Sequence, residues 1–353
     1  MTLNIDLYAN DGSPLGISPP MINGRGVGGA ELAMMTWAET MAGRGHNVRV
    51  YNNPDKPGEH DGVTYLPQTA FNPAKRRDVF VVYRSPNPYV REAKADYKIH
   101  WSTDQYTIGD FGTDIFPFVD KVVCISPYHV DYHKTRYGVE NGKIGYIDLG
   151  VKTEAYDQEV ERIPGRCIFC SVPDRGLDIL RMLWPRIKEI EPEASLVITS
   201  DYRLWGVPSP GNQQHRMAWL AQPDVIFLGR IGREQLIQEQ LAAQVLSYPC
   251  IYEELFCISA AECQVAGAVP VSSETGALQT TNEWGVIIEG NLATKKWQAA
   301  FVEKVAWAME VTETHRSKMR AEASTRFDWD IICQKWEDLI ETGEFEYDTA
   351  VRV

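Results

Sequence analysis

Short apolar runs alternate with helix-periodic segments along the whole chain. Residues 79–83 (Val-Phe-Val-Val-Tyr) and 196–199 (Leu-Val-Ile-Thr) are apolar at nearly every position, which is typical of parallel strands covered by helices on both faces. Helical periodicity predicts helices that include 29–43, 176–190, 233–241 and 255–266. The apolar runs predict strands at Leu3–Ala9, Val48–Tyr51, Asp78–Tyr83, Tyr97–Ser102, Lys121–Ser126, Lys143–Leu149, Arg166–Ser171, Ser195–Ser200, Asp224–Gly229, Ala243–Tyr248, Ala268–Ser273 and Val286–Glu289.

This alternation predicts doubly wound α/β domains, and it occurs twice in series. The length of 353 residues agrees, because one domain usually holds roughly 100–200 residues. A polar stretch at 151–165 marks the boundary, so we expect a Rossmann-like domain at 1–155 and a second one at 156–325. Two such domains facing a central cleft would bind a ligand at the carboxyl ends of their strands.

Charge is spread unevenly along the chain. The net charge is −13, of which residues 1–150 carry −2 and the remainder carries −11. An acidic field opposes non-specific attraction to nucleic acid or to an anionic membrane. The basic cluster Lys75-Arg76-Arg77 with Arg84 keeps nucleic acid open as a partner, although solvated loop charges are the favoured interpretation of it.

The composition predicts a soluble, cytoplasmic protein. No run approaches the roughly 18–20 apolar residues of a membrane span, and the N-terminus has no signal-peptide pattern. The seven cysteines are scattered and odd in number, as expected of free thiols in a reducing compartment. Cys167 and Cys170 form a C-x-x-C pair, but no second pair or histidine cluster accompanies it, so we predict no metal site.

Glycines precede the first long helix. Gly26, Gly28 and Gly29 follow the first strand and a loop rich in glycine and proline. Such glycines let backbone N–H groups approach a phosphate at a helix N-terminus, where the helix dipole favours negative charge. The spacing is not that of a dinucleotide fingerprint, and a flexible loop with a helix cap is the alternative interpretation.

Two further polar residues follow predicted strands. Arg175 comes after the first strand of the second half, where a cation can hold a diphosphate; an ion pair with Asp174 or Asp178 is the alternative. His100 lies near the end of a first-half strand, where an imidazole can hydrogen-bond a sugar hydroxyl. A purely structural histidine is the alternative there.

Glu254 and Glu262 are the most informative pair. Glu254 follows the strand at 243–248 and by itself can be explained as a helix cap. Glu262 lies among apolar residues of the predicted helix 255–266, where a charge is costly unless it meets a polar partner such as ribose hydroxyls. Eight residues turn a helix by about 800°, so both carboxylates are predicted on one broad face. An exposed helical glutamate is the alternative.

Together these segments resemble the retaining glycosyltransferases of family 4, which are glycosyl transferases of group 1 with the GT-B fold. The resemblance covers nearly the whole chain. It is carried, in order, by Gly28-Gly29-Ala-Glu31, Gly43-Arg-Gly-His46, Ile125-Ser-Pro127, Asp148-Leu-Gly-Val151, Leu228-Gly229, Tyr248-Pro249, Glu254-x7-Glu262, Gly267-Ala-Val-Pro270-Val and Phe327-Asp-Trp329 with Trp336. The last segment looks like the family's closing helix, so residues 326–353 are expected to cross back to the first domain.

The resemblance implies a role for each matched residue. Gly28 and Gly29 would lie near the donor phosphates, and Arg175 would stand where the family has a phosphate-binding lysine. Glu254, with Phe256 beside it, would contact the donor sugar, and Glu262 the ribose. His100 resembles a first-domain histidine near the sugar, which makes His100, Arg175 and Glu254 the catalytic candidates.

The sequence departs from the family at several of these positions. Phe169-Cys170 replaces a Gly-Arg pair, which leaves Arg175 as the main cation, with Arg230 or Arg233 as helpers. Glu274-Thr-Gly276-Ala277 replaces paired glycines, and Gln279 with Thr280 stands where a glutamate is usual. These changes affect the identity of the donor sugar more than the class of reaction.

The predicted function is metal-independent, cofactor-free hexosyl transfer (EC 2.4) with retention, from a UDP- or GDP-sugar to a hydroxyl acceptor, first of all a saccharide or glycan precursor. Three alternatives stay open: glycosylation of a hydroxylated DNA base, a sugar-nucleotide epimerase of the same fold, and a non-catalytic binding module. The donor, the acceptor, the linkage and the oligomeric state do not follow from the sequence.

Overall fold

The computed structural model describes residues 2–10, 17–84, 89–106, 110–139, 142–205 and 211–345. The chain forms two compact units, and neither is a single continuous segment. Unit 1 consists of Met1–Pro19, Ala33–Gly150 and Asp328–Val353. Unit 2 consists of Pro20–Leu32 and Val151–Phe327. The predicted boundaries near 155 and 325 stay predictions.

Unit 1 contains an eight-stranded sheet in the order β3-β4-β2-β1-β5-β6-β7-β8. The pairings are parallel except that of β3 with β4. The central strands are almost completely buried because helices cover both of their faces. The strands are β1 (Asn4–Ala9), β2 (Asn47–Asn52), β3 (Gly58–His60), β4 (Val63–Pro67), β5 (Arg77–Tyr83), β6 (Ala95–Trp101), β7 (Lys121–Cys124) and β8 (Ile144–Tyr146).

Helices from both ends of the chain pack on this sheet. They include α2, of which residues 33–43 belong to unit 1, and α12 near the C-terminus. Trp336 of α12 packs on Trp37 of α2 and on Trp101 of β6, with ring centroids 5.2 and 5.0 Å apart. The helices assigned wholly or partly to unit 1 are α2 (Gly29–Gly43), α3 (Tyr89–Glu92), α4 (Pro127–Tyr137) and α12 (Trp329–Thr342).

Unit 2 contains a fully parallel six-stranded sheet in the order β11-β10-β9-β12-β13-β14. Its strands are β9 (Arg166–Phe169), β10 (Ser195–Ile198), β11 (Val225–Phe227), β12 (Val245–Tyr248), β13 (Val269–Ser273) and β14 (Val286–Ile288). Its helices are α1 (Pro20–Arg25), α5 (Leu177–Ile190), α6 (Gly211–Leu220), α7 (Arg233–Ala242), α8 (Ile258–Ala266), α9 (Leu278–Thr281), α10 (Lys295–Met309) and α11 (Glu313–Phe327).

The twelve predicted strands are confirmed, and so is the doubly wound α/β class of each unit. The prediction omits the short pair β3 and β4. Gly58-Glu-His60 has no apolar run, whereas β4 does alternate, with Val63 and Tyr65 buried on one face, and is a strand that the prediction missed. The helix predicted at 255–266 begins only at Ile258. The seven cysteines are free and buried, as predicted. Over the described residues, no helix is both long and apolar enough to cross a membrane.

Candidate functional site

Glu262 lies inside unit 2 on the apolar helix α8, with 3% of its surface exposed. Its Oε1 forms an ion pair with Nη1 of Arg233 at 2.7 Å. Its Oε2 accepts a hydrogen bond from Nε2 of Gln240 at 2.8 Å. The predicted alternative of an exposed glutamate is therefore wrong, and the expected cost of burying this charge is offset by protein partners.

These contacts continue into a closed ring of four side chains, here called the Glu262 ring: Tyr156, Arg233, Gln240 and Glu262. The Tyr156 hydroxyl accepts a hydrogen bond from Nη2 of Arg233 at 3.1 Å and donates one to Oε1 of Gln240 at 2.6 Å. Burial by itself would lower the pKa of Arg233, but Glu262 and Tyr156 raise it above its ordinary value. The guanidinium is therefore charged, and the ring holds the Glu262 carboxylate in one orientation.

Glu254 precedes α8 instead of lying on it. The helix has Cys257 as its N-cap, and Glu254 forms an isolated parallel bridge with Gly276. Gly276 has φ +64°, and a Cβ at this position would lie 2.4 Å from the Glu254 carbonyl oxygen, so the close approach requires glycine. The argument that both glutamates share one helical face is therefore wrong, since only Glu262 is helical.

The contacts of the Glu254 carboxylate converge on one oxygen. Oε1 accepts a hydrogen bond from the Tyr248 hydroxyl at 2.6 Å, and Nε of Arg175 lies 3.5 Å from it. The Cys250 thiol lies 3.9 Å from the same atom. No donor of the described residues meets Oε2. Burial raises the pKa of Glu254, and the charge of Arg175 opposes that rise.

Arg175 ends a 3₁₀ turn, Pro173–Arg175, that leads from β9 towards α5. Gly176 follows with φ +107°, where a Cβ would lie 2.1 Å from the Pro249 carbonyl oxygen. The Arg175 guanidinium stacks on the Tyr252 ring at 3.3 Å from its centroid. Its side chain is 19% exposed, and within the described chain its two Nη groups have no hydrogen-bond partner.

The predicted alternative for Arg175 was a pairing with a neighbouring aspartate. Asp174 instead accepts a hydrogen bond from the Tyr202 hydroxyl at 2.5 Å, and Asp178 pairs with Arg181 at 3.5 Å. The partner of Arg175 is Glu254, so the structure brings two of the three catalytic candidates into contact.

The glycine loop belongs to unit 2 although it lies near the N-terminus. A Cβ at Gly29 would lie 2.9 Å from Cδ1 of Ile258, the first residue of α8. Gly26 has φ +64°, and a Cβ there would lie 2.2 Å from the Ile231 carbonyl oxygen. A Cβ at Gly28 would lie 2.4 Å from Oε2 of Glu31. Gly29 therefore permits the loop to pack against the start of α8, and Gly26 permits its close approach to the Ile231 backbone.

Arg230 holds this loop in place. Its Nε donates to the Gly26 carbonyl at 3.1 Å, and its Nη1 donates to the Arg203 carbonyl at 2.8 Å. The two arginines proposed as helpers of Arg175 therefore have other contacts: Arg230 binds the glycine loop and Arg233 binds Glu262. Phe256 is buried and packs edge-to-face on Phe327 at 5.8 Å.

His100 lies in unit 1 on β6 and is completely buried. Its ring packs on Phe111 at 5.8 Å between centroids, and burial lowers its pKa to about 3. Neither ring nitrogen has a partner in hydrogen-bond geometry among the described residues, although the Val82 backbone lies nearby. The predicted contact of His100 with a sugar stays a prediction, and this burial does not favour it.

The basic cluster at 75–77 with Arg84, which was the argument for a nucleic-acid partner, does not form a basic surface. Arg77 is 1% exposed, and its Nε pairs with Oδ2 of Asp6 at 2.7 Å. Arg84 pairs with Asp104 at 2.6 Å. Only Lys75 and Arg76 are exposed, and Arg76 pairs with Asp96. Most of the positive charge of this cluster is therefore neutralised.

Known proteins resemble this chain in two ways. Residues 172–326 match the family model described as glycosyl transferases group 1, and this range contains Arg175, Arg233, Glu254 and Glu262. No curated protein sequence gives a significant match.

Several solved structures share the fold over nearly their whole length. The sucrose-phosphate synthase of Thermosynechococcus elongatus is 15% identical, with a TM-score of 0.68 over 96% of this chain and 98% of that one. HepE of Anabaena, in complex with UDP and glucose, is 14% identical, with a TM-score of 0.69 over 96% and 100%. The catalytic domain of starch synthase IV from Arabidopsis thaliana, bound to ADP and acarbose, is 11% identical, with a TM-score of 0.68 over 97% and 99%. The GT-B fold is thereby confirmed.

Proposed function

We propose that this glycosyltransferase, whose group 1 domain spans residues 172–326, moves a sugar from a UDP- or GDP-sugar to a saccharide hydroxyl with retention at the anomeric carbon. The observation that carries the proposal is the contact between Arg175 and Glu254. Each of the two side chains keeps a polar group for a ligand: the Nη groups of Arg175 and Oε2 of Glu254. A guanidinium and a carboxylate in contact match the diphosphate and the hydroxyls of one nucleotide sugar.

Arg175 is proposed to bind the donor diphosphate. Two Nη groups presented side by side suit bidentate binding of phosphate oxygens, and the Tyr252 ring behind the guanidinium restricts its orientation. Negative charge develops on the leaving diphosphate as the bond between the anomeric carbon of the sugar and the diphosphate oxygen breaks. A fixed cation at that place lowers the barrier, since it needs no reorganisation during the reaction.

Glu254 is proposed to accept a hydrogen bond from a donor-sugar hydroxyl through Oε2. Its Oε1 is held by Tyr248 and Arg175, so the carboxylate is oriented before the sugar arrives. Retention follows from the resemblance to family 4: the acceptor hydroxyl attacks the face that the diphosphate leaves, and the departing phosphate takes its proton. This chain then contributes positioning and charge, and we propose that the transfer needs no metal ion.

Glu262 is proposed to hold the ribose of the donor. An ionised carboxylate offers about four lone-pair sites, and the Glu262 ring occupies one on each oxygen. The remaining sites suit two ribose hydroxyls. The glycine loop beside α8 is proposed to approach the phosphates, since Gly28 and Gly29 leave room for their backbone N–H groups.

A saccharide acceptor is favoured over DNA. The structural neighbours include proteins bound to UDP with glucose and to ADP with acarbose, and these ligands support a nucleotide donor and a saccharide in a fold of this kind. The neutralised cluster at 75–77 removes the main argument for a DNA substrate.

The decisive experiment screens UDP-, GDP-, ADP- and TDP-sugars for thermal stabilisation of the purified chain and then measures turnover with the best donor. We expect one nucleotide class to raise the Tm. Arg175→Ala is expected to lower kcat/KM about 100-fold, whereas Arg175→Lys recovers part of the loss.

Arg181→Ala is the matched control, because Arg181 lies on the same unit and, among the residues that the structure describes, pairs only with the exposed Asp178. Full turnover by Arg175→Ala would refute the phosphate assignment. An inverted anomer in the NMR spectrum of the product would refute retention.

A further inference from the structure

Unit 1 contains a buried cluster of sulfur and nitrogen atoms that the proposed transfer does not use. Cys124 ends β7, and His129 and His133 lie one turn apart on α4. All three side chains are completely buried. Each offers one ligand atom, and these three atoms lie within 4.8 Å of one another.

The histidines of this cluster are not satisfied by protein partners. Nδ1 of His133 and Nε2 of His129 have no hydrogen-bond partner among the residues described. Of the two histidines, His129 is the less isolated, because the Asp104 backbone lies near its ring. Leaving a buried polar atom unpaired costs about 1–3 kcal/mol, so several such atoms in one place need an explanation.

The other nitrogen of each ring is oriented by a neighbour. Nε2 of His133 lies 3.0 Å from Oγ of Ser102, and Nδ1 of His129 receives a long hydrogen bond of 3.3 Å from the Ile125 amide. Histidines that bind metals usually donate their second ring N–H to an acceptor, as Nε2 of His133 can donate to Ser102, and this leaves Nδ1 of His133 as its ligand atom. His129 differs, because its Nδ1 accepts from the Ile125 amide and the neutral ring therefore carries its proton on Nε2. A metal ion would take the lone pair of Nδ1 in place of this long hydrogen bond.

We propose that Cys124, His129 and His133 bind one divalent metal ion of the zinc class. One thiolate and two imidazoles form the borderline-soft donor set that zinc prefers over the oxygen-ligated magnesium and calcium. In tetrahedral zinc sites the ligand atoms are about 3.3–3.6 Å apart, so small side-chain rotations are sufficient. On binding, the Cys124 thiol loses its proton to solvent and the sulfur bonds to the metal.

The role of this ion is structural. It ties the end of β7 to the first two turns of α4, and neither of the ligand helix positions is exposed to solvent. This departs from the prediction from sequence that the chain has no metal site.

The test uses the full-length chain, stripped with a chelator and titrated with Co²⁺ or Zn²⁺. We expect one equivalent of Co²⁺ to bind with a thiolate-to-cobalt charge-transfer band, and Zn²⁺ to raise the Tm. Cys124→Ala is expected to lose the band, and His133→Gln to bind Co²⁺ more than about 100-fold more weakly. Ser102→Ala should keep the band but weaken binding by about 10–100-fold.

Cys333→Ala is the matched control, since Cys333 is a buried cysteine of the same unit outside the cluster and the variant should bind like the wild type. Failure of the stripped wild-type chain to bind either ion would overturn the proposal, whatever the variants do. Equal binding by a folded Cys124→Ala chain would also overturn it, because the ion would then lie elsewhere. Both results are independent of glycosyl transfer.

Discussion

Two buried polar clusters, one in each unit, differ in how their polar atoms are paired after removal from water. In the Glu262 ring of unit 2, each side chain contacts two others, so the ring is closed. Arg233 donates twice, Glu262 accepts twice, and Tyr156 and Gln240 each donate once and accept once. The histidine cluster of unit 1 consists of His129 and His133 together with His100, which packs on the same Phe111 ring as His133. Four ring nitrogens of these three histidines have no partner in hydrogen-bond geometry within the described residues. Both clusters are shielded from solvent.

The difference separates two uses of buried polar groups. A closed ring gains rigidity because each bond orients the next one, and so it suits a carboxylate that must meet a ligand in one orientation. An open cluster, in which buried polar atoms have no partner, lowers the stability of the fold, and it indicates a ligand that pairs with those atoms. We therefore infer that the Glu262 ring of unit 2 is organised in advance of its ligand, whereas the cluster of unit 1 is completed by a ligand.

The strongest way to break the closed ring is Arg233→Leu. The substitution leaves the Glu262 carboxylate buried without its counter-ion, and removing one member of a buried ion pair typically costs about 3–5 kcal/mol. We expect a loss of this size in the free energy of unfolding, measured by chemical denaturation. Arg181→Leu, which breaks an exposed pair, should cost less than about 1 kcal/mol. Equal losses in both variants would mean that the ring contributes nothing beyond a surface pair.

Gln240→Leu tests the ring without removing a charge. The variant removes the donor to Oε2 of Glu262 and the acceptor of the Tyr156 hydroxyl proton, while the side-chain volume stays similar and Arg233 still donates to the Tyr156 oxygen. We expect a loss of about 1–3 kcal/mol in the free energy of unfolding, because one buried acceptor oxygen and one buried hydroxyl proton are left unpaired. The donor KM should rise as well, since Glu262 loses its orientation. A stable variant with an unchanged donor KM would refute the positioning role.

Much of the fold could be predicted from the sequence because its signals are local. Parallel strands buried on both faces are continuous apolar runs, so 79–83 and 196–199 are recognisable without their neighbours. The start of α8 was placed too early, because the apolar residues Leu255 and Phe256 continue the helical pattern although they lie outside the helix. Apolar periodicity does not distinguish a helix from a buried loop that precedes it.

The site was less predictable, because its contacts join distant residues. Arg233 was recognised as a cation, but its partner lies 29 positions along the chain, and no spacing rule links Tyr156 to either. The histidine cluster did leave a signal: His129 and His133 are four residues apart, the spacing that places two ligands on one helical face. A search for a second cysteine pair misses this set of ligands, because it contains a single cysteine, Cys124, which lies at the end of the preceding strand.

Glu254 is satisfied less fully than the Glu262 ring and more fully than the histidine cluster, because one of its two carboxylate oxygens has protein partners. The pH at which it ionises tests this assignment. Burial raises its pKa, so the carboxylate is protonated at a higher pH than an ordinary glutamate, and kcat/KM should fall on the acid side above the usual range. Arg175 opposes this rise, so Arg175→Gln should move the acid limb to still higher pH. The midpoint of a pH–rate profile measures this shift apart from the loss in absolute rate, and Arg181→Gln should leave the midpoint in place. If the midpoint stays or moves to lower pH in Arg175→Gln, Glu254 is not the group whose protonation causes the acid limb.

The smallest expected effect has the opposite sign and comes from the open cluster. His100→Leu removes two ring nitrogens that have no partner in hydrogen-bond geometry and replaces them with apolar atoms in a completely buried position. Because nothing is left unpaired, the free energy of unfolding should stay the same or rise by up to about 1 kcal/mol, in contrast to Gln240→Leu. Denaturation of the two variants side by side measures the contrast, and donor turnover of the same His100→Leu chain tests the catalytic role predicted for this residue. A loss of stability beyond about 1 kcal/mol would show that the imidazole has a partner, such as a buried water, and that the two clusters differ less than their contacts indicate.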